Sequence, residues 1–72
     1  MRSFEFDMAL SARKTLSIYQ GQARYLLVES DQGLKLQLPA ASFRDFVTAD
    51  GIHGRFSVEI DGNNRILGLR KL

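Results

Sequence analysis

Residues 52–61, IHGRFSVEID, contain the most regular alternation of apolar and polar residues in the chain. The apolar positions of this stretch recur at every second residue, which is the period of a strand with one face buried. The inward set is Ile52, Gly54, Phe56, Val58 and Ile60, and the outward set is His53, Arg55, Ser57, Glu59 and Asp61. We therefore predict a half-buried strand whose Phe56 face belongs to the core.

The residues after this strand predict a hairpin. Asp61-Gly62-Asn63-Asn64 is a turn sequence, and residues 65–72 supply a return strand. A regular alternation from Arg65 to Leu72 leaves neither face of that strand cleanly apolar. A bulge at or near Gly68 would turn both Ile66 and Leu69 inward. We expect such a bulge.

The first half of the chain adds three strands and a helix. Residues 2–9 alternate as a half-buried strand, and residues 22–30 and 34–38 form a hairpin that ends at Pro39. Between these strands, Ser11 is a suitable N-cap for a helix over Ser11–Gln20, with Ala12, Leu16 and Tyr19 facing inward. Residues 40–48 predict one helical turn that plugs an open end of the sheet.

Together these elements predict a single mainly β (α+β) domain over residues 1–72. Its form is a small bent antiparallel sheet or a partly closed five-stranded barrel, with one short N-terminal helix and one helical turn. An open antiparallel sheet crossed by a helix is the alternative. The predicted core is Phe4, Phe6, Met8, Leu16, Tyr19, Leu36, Phe46, Phe56, Val58 and Ile60.

Composition excludes several classes of site. The chain has 72 residues, no cysteine and one histidine, so a disulfide and the usual one-chain zinc site are excluded. Domains this small are marginally stable, which makes self-association the remaining means of reinforcement. No apolar run approaches the roughly 20 residues of a membrane span, and no signal-peptide pattern opens the chain. We expect a cytoplasmic protein with no membrane partner.

Several of the residues quoted above occur in short motifs. They are Tyr19-Gln20-Gly21, Leu38-Pro39-Ala40, Arg44 with Phe46, residues 50–56 (DGIHGRF) and Lys71-Leu72. In these motifs the chain resembles, over about Phe6 to Leu72, a family of short bacterial proteins described only as a domain of unknown function. The resemblance implies a free-standing bacterial protein, and it implies no activity, ligand or catalytic residue.

No residue pattern indicates catalysis. His53 lies on the outward face of its strand, without a nucleophile and an orienting acid at a recognisable spacing. Four of the eight acids occupy turns or a cap. Gly51 and Gly54 lack the following helix and the Lys-Ser/Thr of a phosphate loop, and Gly54 is typical of a strand bend or a close backbone approach. We predict a protein that is not an enzyme and that has no cofactor.

The remaining candidates are basic side chains. The formal net charge is +2 and the pI about 9.4, a balance that permits a nucleic-acid partner without requiring one. The candidate nucleic-acid-binding residues of the last hairpin are Arg55, Arg65, Arg70 and Lys71. One hypothesis is a binding module with weak, sequence-independent contacts to nucleic-acid phosphate. The alternative is a self-associating, homo-oligomeric or protein-binding domain that uses an exposed strand edge.

Overall fold

The computed structural model describes residues 1–63 and 65–72, and its elements follow the predicted order. They are β1 (Arg2–Leu10), α1 (Ala12–Tyr19), β2 (Tyr25–Glu29), β3 (Lys35–Pro39), a 3-10 helix (Ala40–Phe46), β4 (Ile52–Ile60) and β5 (Ile66–Lys71). Strands dominate, so the mainly β, α+β prediction is confirmed. The predicted helical turn at residues 40–48 is the 3-10 helix.

The strands form two antiparallel sheets. The larger sheet has the order β1-β4-β5, and the smaller sheet is the β2–β3 hairpin. The Asp31 amide donates a hydrogen bond to the Glu5 carbonyl (2.9 Å) and so links the hairpin to the outer edge of β1. Over the described residues the five strands do not form a closed barrel, because no full ladder joins β1 to β2.

The core lies between the sheets and is centred on three phenylalanine rings. Phe6, Phe43 and Phe56 are fully buried, with ring centroids 5.9–6.3 Å apart. The predicted inward face of β4 is confirmed, because Phe56 and Val58 are inaccessible to solvent and Ile60 is 7% exposed. Of the other predicted core residues, Phe4 and Phe6 are buried, and three lie half-buried against the core: Met8, Leu36 and Phe46.

The helix is where the predicted core is wrong. Its bounds and its Ser11 cap are as predicted, but Leu16 and Tyr19 are 52% and 55% exposed. The helix instead buries Thr15 and Ile18, because this is the side packed against the rest of the fold. Thr15 tolerates burial since its hydroxyl donates to the Ala12 carbonyl (2.8 Å).

The irregularity predicted for the last strand is confirmed. Gly68 pairs with Glu59 and Ile66 pairs with Ile60, so Leu67 is an extra residue opposite the Glu59/Ile60 step. Leu67 is 55% exposed, whereas Ile66 and Leu69 both pack against the core. The bulge therefore corrects the phase of the strand as expected. The predicted turn includes Asn64, which lies outside the described residues.

Candidate functional site

The structure distributes the predicted basic patch over three places. Arg55 and Arg70 lie on the outer face of the β1-β4-β5 sheet, where Arg70 pairs with Ser57. Lys71 pairs with Phe56 and therefore belongs to the opposite face, where its aliphatic stem crosses Gly54. Arg65 lies at the far end of the hairpin, where its amide donates to Asp61 Oδ1 (2.9 Å). The fold thus brings Arg55 and Arg70 to one face and leaves the other two apart from them.

Arg55 is the centre of an ion-pair cluster. Its guanidinium donates to Asp31 Oδ2 and to Asp7 Oδ1 (3.2 Å), and Glu5 Oε1 lies 4.0 Å from Nε. The pKa of Arg55 is raised, most strongly by the hydrogen bond to Asp31 and next by the hydrogen bond to Asp7. The acids come from β1 and from the turn after β2, so Arg55 links the two sheets. The positive charge of Arg55 is already paired with carboxylates, so this side chain is poorly suited to contact phosphate.

The groove beside this cluster is acid-rich. It has a volume of about 340 Å³ and lies over the outer face of the larger sheet. Three carboxylates line it, those of Glu5, Asp31 and Glu59, against the single guanidinium of Arg70. A phosphate entering here would meet more negative than positive charge. The groove therefore does not support nucleic-acid binding on this face.

His53 has a local structural role. It is exposed on β4, and its Nε2 donates to the Asp50 carbonyl (2.7 Å). The same turn is closed by two backbone hydrogen bonds between Thr48 and Gly51. The ring therefore closes the turn that leads into β4. Within residues 1–63 and 65–72, no group of three His, Cys, Asp or Glu side chains is placed to hold a metal ion.

A surface that the sequence reasoning missed lies on the β2–β3 hairpin. We call it the hairpin face; it consists of the six outward residues Tyr25, Leu27, Glu29, Lys35, Gln37 and Pro39. The pairing places Tyr25 beside Pro39, Leu27 beside Gln37, and Glu29 beside Lys35. Tyr25 and Leu27 are 58% and 69% exposed. One end of the hairpin face is thus apolar and the other carries one charge of each sign.

The apolar run of β2 was the available signal for this surface. Tyr25-Leu26-Leu27-Val28 is apolar on both faces, which is typical of a strand covered on both sides. In the structure Leu26 and Val28 pack toward the core, while the other face of the two-stranded sheet has no cover within the described chain. The apolar run of β2 therefore indicates a strand with two apolar faces, of which the described chain covers only one.

Comparison with known proteins gives a family and no activity. Residues 2–72 match the family described as "Protein of unknown function (DUF2835)". The chain belongs to this family. The match covers nearly the whole chain, which confirms the resemblance to a domain of unknown function found in the sequence motifs. No curated protein and no solved structure is detectably similar to the chain.

In this DUF2835 chain, the edges of β3 and β5 are poorly suited to strand addition. Lys35 lies on β3, and Pro39, which lacks an amide proton, ends it. β5 carries the Leu67 bulge and two cations, Arg70 and Lys71. Charged residues, proline and bulges are the usual features that keep an edge from pairing. No helix in the described part of the chain is long and apolar enough to cross a membrane.

Proposed function

We propose that this DUF2835 protein is a non-enzymatic interaction domain that binds a protein surface through the hairpin face. The observation that carries the proposal is the pair Tyr25 and Leu27, which are 58% and 69% exposed side by side on one face. Extended apolar patches on the surface of a soluble protein commonly mark interaction sites, and two large apolar side chains on one sheet face can form the centre of such a patch.

The composition of the hairpin face supports this function. Burying a leucine or an aromatic side chain fully contributes about 1.5–3 kcal/mol, so two such anchors can supply a useful part of a binding energy. Gln37 lies beside Leu27, and the oppositely charged pair Glu29 and Lys35 lies at the other end of the face. Protein interfaces commonly combine apolar anchors of this kind with polar residues at their margin.

The hairpin face supports binding better than the edges of β3 and β5 do. The strand edges of β3 and β5 carry proline, cations and a bulge, which oppose the addition of another strand. At the apolar end of the hairpin face, Tyr25 pairs with Pro39, and a contact with this face does not need the amide proton that Pro39 lacks. We therefore move the predicted protein-binding surface from an exposed edge to this face.

A capture experiment with matched variants tests the proposal. The immobilised chain is exposed to nuclease-treated lysate of the source organism, beside the double variant Tyr25→Ser/Leu27→Ser. Leu67→Ser is the control, because Leu67 is 55% exposed on the other hairpin. We expect a set of proteins that the wild type and the control retain and the double variant loses. Equal retention by all three chains, or by none, would contradict the proposal.

Nucleic-acid binding is a second candidate, and a different surface favours it. The elements around α1 carry Arg13, Lys14, Arg24 and Arg44 against two acids, Asp45 and Asp50, the second lying in the turn that touches the start of α1. These elements are close together: Arg44 Nη2 donates to the Ile18 carbonyl (3.4 Å), and the Ala40 amide donates to the Arg24 carbonyl (2.9 Å). This end of the molecule has an excess of two positive charges (four bases less two acids), which suits weak contacts to phosphate.

Fluorescence anisotropy with a labelled oligonucleotide tests the second candidate. Charge reversal of Arg13, Lys14 and Arg24 is compared with charge reversal of the predicted set, Arg55, Arg65, Arg70 and Lys71. Binding that falls with salt and is lost only in the first variant would support the α1 end. Loss only in the second variant would support the last hairpin.

Cytoplasmic localisation and a bacterial source stay predictions from the sequence.

A further inference from the structure

We propose that the partner of the hairpin face is a second copy of this chain, packed hairpin to hairpin about a two-fold axis that runs parallel to the strands. This inference rests on the proposed function, and it adds the identity and the geometry of the partner. Its basis is that the two strands of the hairpin face carry complementary residues.

The pairing within one hairpin defines two columns of outward side chains. β2 carries Tyr25, Leu27 and Glu29, and at the same heights β3 carries Pro39, Gln37 and Lys35. A two-fold axis along the strands, lying between two facing hairpins, places β2 of one copy over β3 of the other without changing the height of any residue. Such an isologous contact needs a surface that is complementary to itself.

This geometry produces favourable contacts at every height of the hairpin. Tyr25 would face the partner's Pro39, and Leu27 would lie over the aliphatic part of the partner's Gln37. At the charged end, Glu29 would face the partner's Lys35. Because of the two-fold symmetry each contact occurs twice, and the six exposed residues of each copy are covered.

The alternative axis, perpendicular to the strands, is disfavoured by the same residues. It would invert the heights, so that Tyr25 would cover the partner's Glu29 and Pro39 would cover the partner's Lys35. Glu29 and Lys35 would then be covered by apolar groups of the partner and would lose the opposite charges that the partner supplies in the first arrangement, which is unfavourable. Charge complementarity therefore selects the axis parallel to the strands.

The size of the hairpin face determines the strength of the contact. Stable interfaces bury about 800 Å² per partner, and six side chains on two short strands provide less. We therefore expect a weak dimer, with a dissociation constant roughly micromolar or higher. Its population would depend on concentration, and removal of one apolar anchor would eliminate it.

A charge-exchange experiment tests the geometry. Glu29→Lys gives one chain two cations at the charged end of its face, and Lys35→Glu gives another chain two anions there. We expect each variant alone to dimerise about tenfold more weakly than the wild type, because like charges would face one another. In an equimolar mixture both facing pairs have opposite charges, so we expect dimers to reform.

Sedimentation velocity over a range of concentrations measures the result, with circular dichroism to verify that each variant is folded. Leu27→Ser is expected to be monomeric and Leu67→Ser to behave as the wild type. Wild-type chain that is monomeric throughout, or a mixture that sediments no faster than its components, would overturn the inference. If self-association is absent but the double variant still loses captured proteins, the proposed function stands and only the identity of its partner is wrong.

Discussion

The rings of Phe6 and Phe56 stack across the β1–β4 pair, with centroids 5.9 Å apart and planes inclined by 16°. The two residues are directly paired in the ladder, and both are fully buried. Phe43 and Phe46 of the 3-10 helix meet Phe56 edge-on, at 6.0 and 5.2 Å. Phe56 therefore connects the larger sheet to the short helix that covers it.

Replacing Phe56 should be the most damaging substitution in the core. Phe56→Ala removes the ring that three other aromatic rings contact, and such changes typically cost about 3–5 kcal/mol. A domain of this size has little more stability than that, so we expect a largely unfolded chain at 37 °C. Urea unfolding followed by circular dichroism measures the loss. Phe46→Ala, at a half-buried position, should lose less; an equal loss would contradict the central place of Phe56.

Gly51 should tolerate no side chain. It has φ +106°, and a Cβ there would lie 2.0 Å from the Leu10 carbonyl oxygen, a backbone atom that cannot turn aside. We expect Gly51→Ala to lower the free energy of unfolding by at least about 2 kcal/mol. In Gly54→Ala the Cβ would meet the flexible stem of Lys71 at 2.7 Å, so strain at φ +134° would remain without a backbone clash. Thermal unfolding should rank Gly51→Ala as the less stable variant; the reverse order would contradict the close approach.

Truncation should lower the stability of the protein on the buried side of α1 and leave it almost unchanged on the exposed side. Ile18 is 2% exposed and Leu16 is 52% exposed. We expect Ile18→Ala to cost about 2–5 kcal/mol and Leu16→Ala to change stability by less than about 0.5 kcal/mol. Chemical denaturation of the two variants measures the difference. Equal losses would mean that the helix is rotated from the orientation described.

The helix also shows what the sequence can and cannot predict. Its cap and length follow from local chemistry at Ser11 and were predicted correctly. The orientation of the helix does not follow from local chemistry, because two of its faces could be buried. One carries Ala12, Leu16 and Tyr19 at helical spacing, and the other carries Thr15 and Ile18. Tertiary packing chooses between the two faces. By contrast, β4 alternates over nine residues, and its buried face could be predicted from the pattern alone.

The candidate site was less predictable for a related reason. An outward position for Arg55 follows from the period of β4. The pairing of the Arg55 charge with carboxylates does not follow from that period, because Asp7 is 48 residues away in sequence and Asp31 is 24 residues away. Similarly, Tyr25 and Leu27 become an exposed pair only because β2 belongs to a two-stranded sheet rather than to the centre of a larger one. Both facts depend on sheet topology, which local periodicity does not determine.

The apolar residues of the hairpin face should contribute little to folding. Tyr25→Ser and Leu27→Ser remove side chains that are more than half exposed, so each should change the free energy of unfolding by no more than about 0.5 kcal/mol. Urea unfolding at low protein concentration, where the chain is monomeric, measures this. A loss of several kcal/mol would assign these side chains to the stability of the domain and would remove the support for a binding role.

Arg55 should hold the β2–β3 turn against β1, and this effect should depend on salt. Its guanidinium bridges Asp7 of β1 and Asp31 of the turn, while the Asp31 amide donates to the Glu5 carbonyl. The Arg55 side chain is 39% exposed, so mobile ions can screen these pairs. We expect Arg55→Gln to lower Tm slightly at low ionic strength and to have no effect near about 1 M salt, where the Debye length is about 3 Å.

Hydrogen exchange at the Asp31 amide should report the same contact directly. In Arg55→Gln this amide should exchange faster than in the wild type, whereas amides in the centre of β4 should be unchanged. Arg70→Gln is the matched control, because Arg70 lies on the same face and shows no ion pair among the described residues. An Arg70→Gln variant with the same salt-dependent loss would show that the general charge of the face, rather than the Arg55 contacts, stabilises the junction of the two sheets. An unchanged exchange rate at Asp31 would show that the backbone bond to Glu5 holds the turn without Arg55.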